Sequence, residues 1–341
     1  INVASERSSD MRRITVLGMG NFGTALACNW LAAGHRVVGW TVEGVVYESI
    51  IENGINEKYL PGVRLDGLAA TMDLEAAVSN AEIVVFALPS SVVLDVFAQA
   101  LPALKKGQVI LDLAKGLAPD DRLISEVMAA QLASVGKANP LCVMMGPTIA
   151  PELAHGVYTN ALVASLDHRL AQRVASELST KTLTLSPAND PMGAEYWGAF
   201  KNIIALACGV VDGLKADGRG GDNLKAAVFT AGYREAVRLL PELGAAMDTA
   251  FSPAGIGDLF VTATSPHGRN REMGERLGRG QSLAEAEAAM VMVSEGVRAA
   301  RMFAALFAAR SIDAPFVKAV CGLLQGEADM DFFLKQLMAL D

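Results

Sequence analysis

The stretch Arg13–Gly23, RITVLGMGNFG, decides the fold of the first half of the chain. A short β-branched run ends in the spacing Gly18-x-Gly20-x-x-Gly23, and the helical pattern TALACNWLAAG follows at once. In this order of strand, glycine turn and helix, the glycines let the chain turn tightly and let backbone N–H groups approach a pyrophosphate. The motif therefore predicts a dinucleotide site. The alternative is a glycine turn that only packs a helix on a strand.

The stretch His35–Thr41, HRVVGWT, predicts the second strand. An acidic residue after this strand would hold the ribose hydroxyls of NAD, whereas an arginine would accept the 2′-phosphate of NADP. Glu43 follows the strand, and no arginine lies between it and Arg64. The pattern favours NAD, but Glu43 is equally typical of an exposed helix start, so NADP stays open.

Short apolar runs continue the alternation of strands and helices up to residue 186. Strands that are covered on both faces are continuously apolar, so these runs predict an α/β, Rossmann-like domain with a mostly parallel, doubly wound sheet. The further predicted strands are Ala81–Pro89, Gln108–Ala114, Leu141–Gly146, Asn160–Ser165 and Thr182–Ser186.

Polar residues follow three of these predicted strands, where ligands of open α/β sheets bind. They are residues 89–91, Lys115 with Gly116, and Gly146 with Thr148. Lys115 is the most specific, because a lysine directly after an apolar strand can reach an anionic group of a ligand. An ordinary solvated surface lysine is the alternative.

The β pattern ends near residues 187–192, PANDPM, and only helical patterns follow. The predicted helices are Gly193–Gly213, Asp222–Leu240, Leu283–Ala309 and Pro315–Leu340. We therefore expect a loose tail over residues 1–10, an NAD-binding Rossmann-like domain over 11–190, and an all-α substrate domain over 191–341.

The predicted helix Gly193–Gly213 is apolar on nearly every side, yet it carries Lys201 and Asn202 near its middle. Such a helix is normally buried. Burial of an unpaired ammonium is costly and lowers its pKa, which suits a lysine acid/base catalyst with a working pKa of roughly 7–8. The alternative is that Lys201 extends its head group to water from a core helix.

Two polar, glycine-rich patches lie between the predicted helices, at residues 218–223 and 255–258. The second patch leads to the sequence SPHGRNR at residues 265–271. Two arginines and an asparagine after a turn are typical of an anion site, since guanidinium binds phosphate through two hydrogen bonds. A solvated loop or helix start is the alternative.

Composition argues against several classes of function. The formal net charge of −8 and the pI near 5.2 argue against a nucleic-acid partner, which prefers a basic surface. The four cysteines are scattered in apolar settings, so we expect reduced thiols and a cytoplasmic protein. The four histidines show no ligand-like spacing, so we expect no metal. No apolar run reaches the ~18 residues of a membrane span.

Separate motifs, in order, cover the chain from Ile14 to about Leu324. They are GMGNFGTALA (18–27), YLPG (59–62), LPS (88–90), KG (115–116), GPTIAPE (146–152), GAEYWGAFKN (193–202), GDNLKAA (221–227), GIGDL (255–259), SPHGRNR (265–271) and SEGV (294–297). Together these motifs resemble the NAD(P)-dependent glycerol-3-phosphate dehydrogenase family.

The resemblance implies a role for each matching residue. Lys201 would donate and accept the proton at the carbon undergoing hydride transfer, with Lys115 and Asp258 as further catalytic residues. Residues implied to bind substrate are Lys115, Gly146, Thr148, Asn202, Asp258, Thr262, Gly268, Arg269 and Asn270, of which Arg269 and Asn270 would hold a phosphate. Residues implied to bind the cofactor are Gly18, Gly20, Asn21, Phe22, Gly23, Lys115, Ala150, Arg269, Val293 and Glu295.

The chain departs from the family pattern near these residues. The family usually has glycine at Trp197, leucine at Phe200, serine and phenylalanine at Thr148 and Ile149, and arginine at Ala231; the loop before Asp222 is also longer. Trp197 stands one helical turn from Lys201, so we expect it to affect the substrate pocket or the approach to it.

The resemblance implies an oxidoreductase that interconverts dihydroxyacetone phosphate and sn-glycerol 3-phosphate with NAD(H), or NADP(H), as a cytoplasmic homodimer in glycerophospholipid metabolism. Three alternatives stay open: the same chemistry on another small phosphorylated ketone, a non-catalytic NAD-sensing protein, and a 3-hydroxyacid or ketopantoate-type reductase. The Arg269-Asn270-Arg271 motif argues against the last of these.

Overall fold

The computed structural model describes residues 11–266, 268–290 and 294–339. The predicted tail over residues 1–10 and the predicted cofactor residue Val293 lie outside the described residues, as does His267 of the SPHGRNR motif.

Two compact units divide the chain. The first takes in the residues up to Ala114, Val127–Met144 and Thr148–Asn189, and the second takes in Lys115–Glu126, Met145–Pro147 and the residues from Asp190 onward. The domain boundary between residues 190 and 191 stays a prediction. The two short segments cluster with the second unit, although the expected 11–190 domain includes them.

The first half of the chain contains the strands, which are β1 Arg13–Leu17, β2 Arg36–Trp40, β3 Ile55–Asn56, β4 Leu60–Arg64, β5 Ala69–Thr71, β6 Ile83–Phe86, β7 Val109–Asp112, β8 Leu141–Met145, β9 Thr159–Ala164 and β10 Leu183–Ala188. Eight of them form one sheet in the order β10-β9-β8-β7-β6-β1-β2-β5. Strand β1 pairs in parallel with β2 and β6, which confirms the mostly parallel Rossmann-like sheet. The antiparallel β3–β4 hairpin and the short β5 were not predicted.

The helices between these strands are α1 Asn21–Ala32, α2 Gly44–Asn53, α3 Leu74–Ser79, α4 Val93–Ala100, α5 Ile124–Ser134, α6 Ala150–Ala154 and α7 His168–Leu178. Leu26 and Trp30 of α1 are buried in the apolar core of the first unit. Helix α1 begins directly after Gly20, and no described side chain caps it. Its first backbone N–H groups therefore have no partner within the helix and can bind an anion.

The second unit is helical, as predicted. Its helices are α8 Pro191–Gly213, α9 Asp222–Leu239, α10 Asp258–Thr264, α11 Arg269–Gly278, α12 Leu283–Ala288, α13 Glu295–Ala309, α14 Pro315–Gln325 and α15 Met330–Met338, and a π-helical turn, Pro253–Gly257, precedes α10.

The prediction that two of these helices are continuous was wrong. The predicted Leu283–Ala309 is divided into α12 and α13, and Pro315–Leu340 into α14 and α15. Gly326 ends α14 with a φ of 72°, and the side chain of Asp329 accepts a hydrogen bond from the backbone of Phe332 to start α15. These cap signals end a helix even where the apolar periodicity continues.

Helix α8 packs at the centre of the second unit, in contact with α9, α10, α11 and α13. It approaches α11 closely enough that a Cβ at Gly209 would lie 2.0 Å from the carbonyl oxygen of Arg271. The stretch Pro191–Asp217 is long and apolar enough to cross a membrane by length and composition alone, but 94% of its apolar window is buried inside the protein. Helix α8 is thus a buried core helix that carries Lys201, as the sequence indicated.

Candidate active site

Lys201 is buried in the second unit and is paired there with Asp258. The lysine is 3% exposed and the aspartate 2% exposed. The Nζ of Lys201 donates to Oδ1 of Asp258 at 2.5 Å and to Oγ1 of Thr262 at 2.8 Å. Because the ammonium has two partners inside the protein, it does not extend to water, and the alternative of a solvent-directed head group is wrong.

A second lysine contacts the other oxygen of the same carboxylate. Lys115, which follows β7 along the chain, donates to Oδ2 of Asp258 at 2.8 Å and to the carbonyl oxygen of Gly146 at 3.0 Å. Lys115 and Gly146 belong to the two short segments that cluster with the second unit. The carboxylate therefore lies between two ammonium groups, and we refer to Lys115, Lys201 and Asp258 as the lysine–aspartate cluster.

Burial and charge act against each other in this cluster. Burial, the largest influence, lowers the pKa of Lys201 from 10.5 to about 7, while the charge of Asp258 opposes the shift and that of Lys115 adds to it. Burial alone would raise the pKa of Asp258, but the charges of Lys115 and Lys201 outweigh it and hold that pKa below its usual value. Lys201 can therefore exchange a proton near neutral pH beside a carboxylate that stays ionised.

A network of amide side chains lies along the adjoining part of α8. Asn270 at the start of α11 donates from Nδ2 to Oδ1 of Asn202 at 2.8 Å. Its own Oδ1 accepts from the hydroxyl of Ser294 at 2.9 Å and from the backbone N–H of Gly296 at 2.8 Å. The network joins the starts of α11 and α13 to Asn202, next to Lys201. Glu295 is the first residue of α13.

The two arginines of the SPHGRNR motif lie in different environments. Arg269 is exposed at the first position of α11, after Gly268, and no described side chain caps that helix start. Arg271 is half-buried, and its Nη1 donates to Asp212 at 2.9 Å while its Nε donates to the carbonyl oxygen of Ser265 at 3.1 Å. The expectation that both arginines bind an anion is therefore corrected: Arg271 is held by Asp212, and Arg269 remains the candidate.

The glycine motif of the first unit fits a dinucleotide pyrophosphate. Gly18 has a φ of 105°, and a Cβ there would lie 2.5 Å from the carbonyl oxygen of Ala87, so only glycine is tolerated. A Cβ at Gly20 would meet no described atom within 4 Å, so the space beside the uncapped start of α1 is open. Backbone N–H groups of Asn21, Phe22 and Gly23 begin α1 at this point.

The predicted site residues are divided between the two units. The first unit holds Gly18, Gly20, Asn21, Phe22, Gly23, Thr148 and Ala150, with Ala150 at the start of α6. The second unit brings together Lys115, Gly146, Lys201, Asn202, Asp258, Thr262 and Asn270, and also holds Gly268, Arg269 and Glu295. Among the described residues, no group of three or more His, Cys, Asp or Glu side chains is arranged to hold a metal ion.

A cavity of about 540 Å³ lies elsewhere, at the amino ends of β1, β6 and β7. Its lining includes Arg12, Lys105 and Arg173 and none of the predicted site residues. Because ligands of such sheets bind at the carboxyl ends of the strands, this cavity at their amino ends is not a candidate for the dinucleotide site.

Comparisons with known proteins identify the family. The model of the NAD-dependent glycerol-3-phosphate dehydrogenase N-terminus matches residues 13–171, and that of the C-terminus matches residues 190–335. The chain belongs to the NAD-dependent glycerol-3-phosphate dehydrogenase family.

The similarity to known proteins extends over almost the full length of the chain. A glycerol-3-phosphate dehydrogenase [NAD(P)+] of Rhodospirillum rubrum is 38% identical over 96% of this chain and 92% of its own. One of Thiobacillus denitrificans is 38% identical over 92% of this chain and 93% of its own. The crystal structure of glycerol-3-phosphate dehydrogenase from Coxiella burnetii is 31% identical, with a TM-score of 0.88 over 96% of this chain and 99% of its own.

Two of the departures from the glycerol-3-phosphate dehydrogenase pattern, Trp197 and Phe200, lie in the core of the second unit. Trp197 is fully buried and packs against Tyr233 of α9 with ring centroids 5.4 Å apart. Phe200 packs edge-on against Phe303 of α13 at 5.0 Å. These aromatic rings stabilise the positions of α9 and α13 around α8. An effect of Trp197 on the substrate pocket stays a prediction.

Several contacts of the site were not found from the sequence. The pairing of Lys115 with Asp258 and the contact of Ser294 with Asn270 both join residues that are far apart in the chain. Glu195 on α8, another buried acid, accepts hydrogen bonds from the backbone and the hydroxyl of Ser125. The only local signal was the SEGV motif, in which a serine precedes a helix start.

Proposed function

We propose that the chain interconverts dihydroxyacetone phosphate and sn-glycerol 3-phosphate by hydride transfer with NAD(H) or NADP(H), with Lys201 as the general acid and base. The observation that carries the proposal is the buried ammonium of Lys201, held at 2.5 Å from Asp258 in a chain of this family.

In the direction of ketone reduction, the carbonyl oxygen of the substrate gains negative charge as the hydride reaches its carbon. A protonated Lys201 can neutralise that charge and deliver the proton, and in the reverse direction the neutral amine can remove it. Both forms are accessible because burial lowers the pKa of Lys201 to about 7. A bound nicotinamide supplies or accepts the hydride.

The other residues of the cluster position the amine of Lys201 and set the charge around the reacting carbon. Asp258 fixes the Nζ of Lys201 through one oxygen, and its charge opposes the loss of the proton. Lys115 adds a second positive charge on the far oxygen of the same carboxylate, which favours an anionic oxygen at the reacting carbon. Thr262 accepts from Lys201 while its hydroxyl donates to the backbone carbonyl of Asp258, so the amine has a defined direction.

The substrate phosphate is assigned to the start of α11. An exposed arginine as the first helical residue, together with uncapped backbone N–H groups, is a combination that binds phosphate. Arg269 and the backbone at the start of α11 supply these groups, after Gly268, whose own N–H donates to the carbonyl oxygen of Ser265. Asn270 connects this helix start to Asn202. Binding energy from a phosphate held away from the reacting carbon can be used to position that carbon.

The test is an NADH-oxidation assay with dihydroxyacetone phosphate on the unmodified chain and on Lys201→Met. We expect kcat to fall by about 10²- to 10⁴-fold in the variant, the range for loss of a general acid. The matched control is Lys335→Met, which removes an exposed lysine of α15 and should keep kcat within about twofold. An unchanged kcat in Lys201→Met would remove the catalytic assignment.

The same assay with dihydroxyacetone, which lacks the phosphate, and with other small phosphorylated ketones tests the substrate. We expect kcat/KM to be much higher for dihydroxyacetone phosphate than for dihydroxyacetone, because the phosphate is the one anionic group of the substrate that Arg269 could bind. Faster turnover of another phosphorylated ketone would replace dihydroxyacetone phosphate as the assigned substrate, and faster turnover of a carboxylate substrate would contradict the proposal.

The cellular setting and the assembly are further proposals. The family resemblance supports a homodimer that acts in the cytoplasm, and the four cysteines are free thiols. Size-exclusion chromatography with light scattering would test the dimer, and a monomeric mass would reject it.

A further inference from the structure

The carboxylate of Glu43 is engaged by the turn that joins β3 to β4. Its Oε1 accepts from the hydroxyl of Tyr59 at 2.6 Å, and its Oε2 is paired with the ammonium of Lys58. Lys58 also lies over the ring of Tyr59, with Nζ 4.9 Å from the ring centroid. The side chain of Lys58 is 49% exposed, so it can reach outward from the pair as well as toward it.

This pair lies beyond the carboxyl end of β2, and the glycine turn follows the neighbouring strand β1 at the same end of the sheet. Strand β2 runs parallel to β1, and the backbone N–H of Gly18 donates to the carbonyl oxygen of Trp40 at 3.0 Å. Glu43 follows Trp40 closely and is the N-cap residue of α2. In a dinucleotide-binding sheet the adenosine ribose lies at this end of the second strand. A ribose bound in this way would therefore lie near Glu43 and Lys58.

An exposed apolar surface adjoins the pair. Val42 is 70% exposed and Met72 is 46% exposed. They follow β2 and β5, which are neighbours in the sheet, and Thr41 donates to the carbonyl oxygen of Thr71 at 3.2 Å. Apolar side chains beside a carboxylate suit a nucleoside, because its base is flat and its sugar carries hydroxyl groups.

We propose that Glu43 and Lys58 select the nicotinamide cofactor: the ionised Glu43 favours NADH over NADPH and holds Lys58 back from the 2′-phosphate. This inference rests on the proposed function. A carboxylate accepts hydrogen bonds from ribose hydroxyls but repels a phosphate at the same position. Lys58 is the cation that could bind the 2′-phosphate, and in the present pairing its charge is offset by Glu43.

Four proteins test the inference: the unmodified chain, Glu43→Gln, Lys58→Met and the double variant. Dissociation constants of NADH and NADPH are measured by nicotinamide fluorescence without substrate, and kcat/KM for both cofactors is measured with dihydroxyacetone phosphate. We expect the unmodified chain to prefer NADH. Glu43→Gln should shift the preference toward NADPH by about tenfold or more, since it removes one repulsion and releases one cation.

The double variant shows whether Lys58 receives the phosphate. We expect the double variant to lose most of the gain in NADPH affinity that Glu43→Gln produces. We expect Lys58→Met alone to keep the dissociation constant of NADH within about threefold of that of the unmodified chain. The matched control is Glu57→Gln, which removes the same charge from an exposed residue of the same turn and should leave the preference unchanged. Thermal unfolding of each variant checks that the fold is retained.

Three results would overturn the inference. They are a preference of the unmodified chain for NADPH, an unchanged preference in Glu43→Gln, and an equal shift in Glu57→Gln. A gain that survives in the double variant would reject Lys58 as the receiving cation. Failure of the proposed function has a different signature, since the cofactors would then bind with no turnover of any phosphorylated ketone.

Discussion

Replacement of Asp258 by asparagine would leave two buried or half-buried ammonium groups with a neutral partner of nearly the same shape. Among the described residues, Asp258 is the carboxylate paired with Lys201, and its charge raises the pKa of that lysine against the effect of burial. Loss of an opposite charge at hydrogen-bond distance moves a pKa by about 1–3 units. We therefore expect the pKa of Lys201 to fall clearly below its present value of about 7.

The size of the effect on catalysis follows from the protonated fraction of Lys201. At pH 7.5 a lysine of pKa about 7 is about one quarter protonated, whereas a shift of about two units leaves about 0.3%. Ketone reduction requires the protonated form, so kcat at pH 7.5 should fall by about 80-fold in Asp258→Asn. Alcohol oxidation requires the neutral form, so its acid limb should move to lower pH in the same variant.

The assay is the pH profile of kcat in both directions for the unmodified chain, Asp258→Asn and a control. The control is Asp313→Asn, which removes an exposed aspartate paired with Lys318. If the midpoints of both pH profiles move to lower pH, the pKa of Lys201 has been lowered. General damage to the fold would instead lower both rates at every pH without moving the midpoints. If both profiles keep their midpoints in Asp258→Asn, the electrostatic account of the cluster is wrong.

Three further perturbations test other parts of the structure. Arg269→Ala should lower kcat/KM for dihydroxyacetone phosphate by about 10- to 100-fold, the worth of a charged hydrogen bond to phosphate, and should leave turnover of dihydroxyacetone almost unchanged; equal losses would contradict its assignment. Burial raises the pKa of Glu195 from 4.5 to about 7, so the folded state holds this proton more tightly than the unfolded state. The contribution of Glu195 to stability is present below pH 4.5 and is lost as the pH rises through about 7. In urea titrations, Glu195→Gln should therefore show a smaller decline in unfolding free energy over this pH range than the unmodified chain, and an equal decline in both would refute the prediction. Gly209→Ala should destabilise the fold by about 1–3 kcal/mol, because the new Cβ would lie 2.0 Å from the carbonyl oxygen of Arg271. Thermal unfolding measures this, and the control is Gly44→Ala at the start of α2, where a Cβ would meet no described atom within 4 Å; equal destabilisation in both variants would contradict the helix-contact explanation.

The sequence by itself determined the parts of this protein that depend on local pattern. The run RITVLGMGNFG predicts a strand, a turn and a helix start because glycine spacing and β-branched residues act over a few positions, and the structure places β1, Gly18 and α1 there. The apolar composition of residues 193–213 was enough to expect a buried helix, since almost no polar face was left for water, but it left open whether the head group of Lys201 stays inside or extends to water. The ordered motifs were enough to identify the family.

Only the tertiary structure decided which charges meet. Lys115 and Asp258 are 143 residues apart in the chain, and no local pattern shows that one carboxylate contacts two lysines. The tertiary structure likewise separated the role of Arg269 from that of Arg271, because Arg271 is paired with Asp212 on α8 as well as with Glu275 on its own helix. The sequence left Glu43 open between a ribose ligand and an exposed helix-start residue, and only the structure shows Lys58 and Tyr59, in the turn between β3 and β4, against its carboxylate. Electrostatic pairing depends on distances of a few ångströms between elements, and those distances are set by packing rather than by neighbours in sequence.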